Sequence, residues 1–79
     1  MKAKPWECWD NVNVGPSSPQ IQNTVTAQEA AESFGHQFEI TKDCDIFVMD
    51  PDVASGTPQV VRLTVRPTEQ LPFEYQALP

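Results

Sequence analysis

Cys8, Cys44 and His36 are the side chains of this sequence that could supply a nucleophile with a base, or soft ligands for zinc. Thiol catalysis needs a base within hydrogen-bond reach of the sulfur, and donors for the oxyanion that develops. Neither is supplied locally. The two cysteines stand 36 positions apart with no short metal-ligand spacing. Each alternates onto the expected core face of a strand, where a free thiol behaves as a small hydrophobe. His36 follows a glycine that reads as a helix stop, so it is expected at an exposed terminus. No phosphate-binding glycine loop and no nucleophile elbow occurs, and three glycines give little material for one. The expectation is a protein without catalytic residues, metal or cofactor.

The second constellation is acidic. In "ITKDCDIFVMDPD", residues 40–52, Asp43 and Asp45 stand at one end of the apolar run Ile46-Phe47-Val48-Met49, and Asp50 and Asp52 at the other. A calcium loop gathers oxygen ligands at alternate positions around a glycine turn. Here an extended strand would hold the two acid pairs roughly 15–20 Å apart at ~3.3 Å per residue, so they cannot share one ion. With Glu39 added, residues 39–52 carry five acids against the single Lys42, a net −4 of the chain's −6. Two accounts fit this rim. Solvated strand ends with Asp-Pro turn chemistry explain it without function. A surface that competes with phosphate for a basic groove explains it with one.

Composition narrows the partners. Seventy-nine residues are expected to form one domain, 1–79, with a thin core. Eleven acids against five bases disfavour direct binding to DNA or RNA, which rests on Lys and Arg neutralising phosphates. Anionic membrane surfaces are disfavoured for the same reason. No apolar run follows the lysines of "MKAKPWECWD", and no stretch approaches the ~18 apolar residues of a membrane span. A cytoplasmic protein with reduced cysteines is expected.

The elements that must position these residues fall between eight prolines. "WECWDNVNV", 6–14, reads as a first strand with Trp6 and Cys8 on one face and Glu7 and Trp9 on the other. "QIQNTV", 20–25, reads as a second strand pairing back on it. "TAQE", 26–29, is a capping box, and Ala27, Ala30, Ala31 and Phe34 follow one helical face. Gly35 is expected to stop that helix. "CDIFVM", 44–49, and "PQVVRLTVR", 58–66, read as a hairpin. Cys44, Ile46 and Val48 would face Val61, Leu63 and Val65 inward, with Asp45, Phe47, Met49, Val60, Arg62 and Arg66 outward. The tail, with Leu71, Phe73, Tyr75 and Leu78, is expected to pack as a short strand or an arm. The fold class is therefore α+β: a small antiparallel sheet of about four strands in ββαββ order, covered on one face by one short helix. One such helix cannot roof both faces, so Phe47 and Met49 are expected to meet solvent, the folded-over tail, a second copy, or another partner.

The run of Trp6 and Trp9, then "TAQEAAESF", two strands and a terminal "PFEYQALP", resembles short phage and bacterial reading frames of similar layout. Size and acidity also resemble the anti-CRISPR proteins, small inhibitors encoded by phages and mobile elements. That resemblance implies a non-enzymatic inhibitor of a basic, nucleic-acid-binding host protein such as a CRISPR surveillance complex. Glu39, Asp43, Asp45, Asp50 and Asp52 would then meet Lys and Arg of the partner, with Phe47 and Met49 beside them. The other expectation is a regulatory or interaction module, homodimeric in one form, that binds through the outer sheet face.

Overall fold

The computed structural model describes residues 2–53, 57–66 and 74–77. Strands β1 (Lys4–Trp9) and β2 (Gln20–Thr24) precede a helix, α1 (Ala27–Phe38), and β3 (Cys44–Met49), β4 (Gln59–Arg66) and β5 (Glu74–Ala77) follow it. All pairings are antiparallel, and the five strands lie in the order β2-β1-β3-β4-β5. The α+β class holds, with the tail supplying a fifth strand at the edge beside β4. Residues 67–73 and 78–79, including Leu71, Phe73 and Leu78, lie outside the described residues.

Period-two alternation sorts the side chains of the sheet. Trp6, Cys8, Ile46, Val48, Val61 and Leu63 are buried in one cluster with Ala27, Ala30, Ala31 and Phe34 of the helix. The alanine stripe lets α1 lie close to the sheet, with Phe34 fully buried as the largest plug. Thr26 caps the helix as expected, its Oγ1 accepting from the Glu29 N–H at 3.1 Å, but the Glu29 carboxylate accepts from the Thr26 hydroxyl and not from its amide.

Two local expectations change. The helix does not stop at Gly35 but runs to Phe38, and the left-handed residue that ends it is Glu39 (φ 49, ψ 50). Ile40 N–H then returns to the Gly35 carbonyl at 3.1 Å. Gly35 serves a different need, because a Cβ there would lie 2.8 Å from both Leu63 Cδ2 and Tyr75 Cδ1. β1 also begins earlier and ends sooner than expected. The Asp10 carboxylate accepts from the N–H groups of Val12, Asn13 and Val14, and Asn11 takes φ 62, so the chain turns at once after Trp9.

Candidate functional site

The face of the sheet opposite α1 carries the expected outward residues, and the register sets them in rows. Ile21, Glu7 and Met49 form one row across β2, β1 and β3. Trp9, Phe47 and Val60 form the next across β1, β3 and β4, followed by Asp45 with Arg62. Thr64 with Gln76 and Arg66 with Glu74 complete the face. Ile21 is 50% and Val60 58% exposed, while Phe47 and Met49 are half-buried. Trp9 departs from expectation. It is only 8% exposed, although it belongs to this face and not to the core cluster, and the Phe47 ring lies nearly parallel to it at 5.9 Å. The tail does not roof this face within the described residues, since Glu74–Ala77 extends the sheet instead.

The acids named from the sequence are brought together only in part. At one end of β3, the Lys4 ammonium reaches Asp50 at 3.2 Å and Asp52 at 3.1 Å, and lies 4.8 Å over the Trp6 ring. The hydrogen bonds that Lys4 donates to Asp52 and then to Asp50 push its pKa up. The Asp52 N–H and then Lys4 hold the Asp50 carboxyl below its ordinary value. At the other end, Asp45 pairs with Arg62 at 3.2 Å, and Asp43 accepts the Val65 N–H where the β3–β4 ladder runs out. Glu39 is exposed at the helix end. Asp43, Asp45, Asp50 and Asp52 thus each meet a donor of this same chain, and the rim is split between the two ends of one strand.

Sequence reasoning missed Asp10, whose signal was the Asp-Asn-Val-Asn turn composition. It is nearly buried; burial raises its pKa, and the backbone N–H groups with the Asn13 amide outweigh that and hold it below the ordinary value. The thiols stay apart in role. Cys8 is fully buried and pushed up to about 12 by burial, while Cys44 is half-buried and raised by burial, then by Asp10 and Asp45. His36 is exposed and stands edge-on to the Tyr75 ring at 4.6 Å.

A cleft of about 790 Å³ opens between the start of α1 and the ends of β1 and β3, lined by Lys2, Lys4, Trp6, Thr26, Asp50 and Val53 among others. Of its two lysines, Lys4 is already engaged by Asp50 and Asp52. No helix among the described residues is long and apolar enough to cross a membrane, and no three metal-ligating side chains gather among them. No protein-family model, curated protein or solved structure matches the chain.

Proposed function

We infer that this protein is a non-enzymatic binding protein that docks on another protein through the open face of its sheet. The observation that carries this reading is the run of Met49, Phe47 and Val60 in neighbouring cross-strand rows opposite the helix, beside Trp9 and with Ile21 one strand beyond Glu7. Met and aromatic residues are enriched at the centre of protein interfaces, with charged groups toward the rim. Asp45 and Arg62 hold that rim position here, while Glu7 stands as a charge between Ile21 and Met49.

A second reading makes the acids the docking element, as in anti-CRISPR inhibitors that cover a basic, nucleic-acid-handling surface and block DNA binding. Its support is the net charge of −6, with Asp10 and Glu39 lining one shallow pocket beside Lys42 and Cys44. The ion pairs of Lys4 and Arg62 weigh against it, because those bases already engage Asp50, Asp52 and Asp45.

Capture of the partner by the immobilised protein separates the two. On the first reading Met49→Ala and Val60→Asp abolish capture, while charge reversal at Asp43, Asp45, Asp50 and Asp52 changes little and salt has small effect. On the second, the reversals and high salt abolish capture, and the protein inhibits DNA binding by a CRISPR surveillance complex. Undiminished capture by both apolar-face variants removes the first reading.

A further inference from the structure

The two edges of the sheet are built differently. β5 is four residues long, carries Glu74, and gives its Ala77 N–H to the Glu32 carboxylate of the helix at 2.9 Å. Short length, charge and a covering side chain are the usual protections of an edge strand. β2 is nearly as short, but it carries no charge, and among the described residues no side chain bonds the backbone of Ile21 or Asn23. Gln20-Ile21-Gln22-Asn23-Thr24 contains no proline and no charged residue, and its register against β1 runs unbroken from Thr24 to Gln20. It is the one strand of the five without a charge.

Pro5 determines which way the β2 backbone faces. It stands opposite Asn23 and has no N–H, so that pair cannot exchange two backbone bonds. The exchanging pairs are therefore Lys4 with Thr24, Trp6 with Gln22 and Cys8 with Gln20, which turns the peptide groups of Ile21 and Asn23 to the open edge. The strand is also held in place from the helix. Gln22 is 6% exposed; its side-chain amide donates to Gln37, and it accepts from the Ser33 hydroxyl at 2.6 Å. Gln37 in turn donates to Gln20 at 2.9 Å.

We propose that this edge pairs with the β2 edge of a second copy, antiparallel about a two-fold axis at Gln22. That register sets Ile21 against Asn23 of the second copy and Asn23 against its Ile21, so that outward donors meet outward acceptors in four backbone hydrogen bonds. A register centred on Ile21 instead sets Asn23 against Pro19, which has no N–H. Charge points to the same occupant. Two chains of net −6 repel, and β2 is where they can meet without opposing like charges. A basic peptide finds no carboxylate along this strand. An edge of five residues buries less than the ~1,200 Å² of a stable interface, so the dimer is weak and forms at high protein concentration. Met49, Phe47 and Val60 of the outer face stay open in both copies, and Asn23, which the docking reading does not use, tests this contact apart from it.

Sedimentation of the whole protein from micromolar to millimolar concentration tests the pairing. The mean mass rises from 8.8 kDa toward twice that value. Asn23→Pro removes an outward N–H without touching a bond to β1, and Ile21→Pro does the same, so each stays monomeric with an unchanged far-ultraviolet spectrum. In the unsubstituted protein, exchange of the Ile21 and Asn23 amides slows several-fold on concentration, a readout that stands even where a proline variant misfolds. A chain that stays monomeric at millimolar concentration overturns the proposal. So do amides whose exchange ignores concentration, a dimer that survives both prolines, or one that Val60→Asp abolishes instead.

Discussion

Replacing Gly35 with alanine separates two roles that a helical glycine can have. In an exposed helix interior the change gains ~1 kcal/mol, because alanine is the better helix former. At this position the new methyl would sit 2.8 Å from Leu63 Cδ2 and 2.8 Å from Tyr75 Cδ1, with Tyr75 Cε1 at 3.1 Å. Ordinary carbon contacts lie at about 3.5–4.0 Å, so both side chains must retreat by roughly 1 Å. Leu63 is fully buried, and the Tyr75 hydroxyl donates to the Ile40 carbonyl at 2.8 Å, so neither retreats freely. Overpacking of this kind costs ~1–3 kcal/mol, and subtracting the propensity gain leaves a net loss of about 1 kcal/mol. For a domain of this size that lowers Tm by roughly 4–8 °C. Urea unfolding followed by tryptophan fluorescence measures it. A variant more stable than the parent would show that the helix does not approach Leu63 and Tyr75 as described.

Two further outcomes follow from titrating groups. Asp10 has its carboxyl held below the ordinary value in the fold, so its stabilising effect is present above the unfolded pKa of about 3.9 and is lost as pH falls through the folded value. Asp10→Asn is expected to lower the urea midpoint at neutral pH and to flatten the acid limb of the stability profile, and an unchanged limb would contradict the account. Cys8, buried and pushed up to about 12, should resist thiol reagents at mildly alkaline pH until the protein opens. Half-buried Cys44 should be modified first, and equal rates for the two would contradict the burial described.

Local chemistry was the legible part of this fold. Thr26 and Glu29 announced the helix start, and alternation in "CDIFVM" and "VVRLTV" sorted inward from outward side chains. Gly35 misled because a glycine needed for close approach looks the same in sequence as one needed to end a helix. Glu39 adopts the left-handed conformation without being glycine, so nothing marked it. Asp10 has turn-forming chemistry, but the β-branched and aromatic residues around it read as one continuous strand. The remaining differences are non-local. Lys4 meets Asp50 across 46 residues, and Trp9 meets Phe47 only because β1 lies between β2 and β3. Such pairings turned an apparent acidic rim into carboxylates largely engaged by the chain's own donors. The outward placement of Phe47, Met49 and Val60 depends only on alternation, and the register agrees with it.

Residue-resolved NMR shift mapping of the labelled protein with its captured partner tests the docking face most directly. The account predicts that signals of Ile21, Phe47, Met49 and Val60 move together, while helix positions such as Glu29 and Gln37 stay in place. Changes confined to Glu39, Asp43 and Asp52, or to the helix, would contradict it.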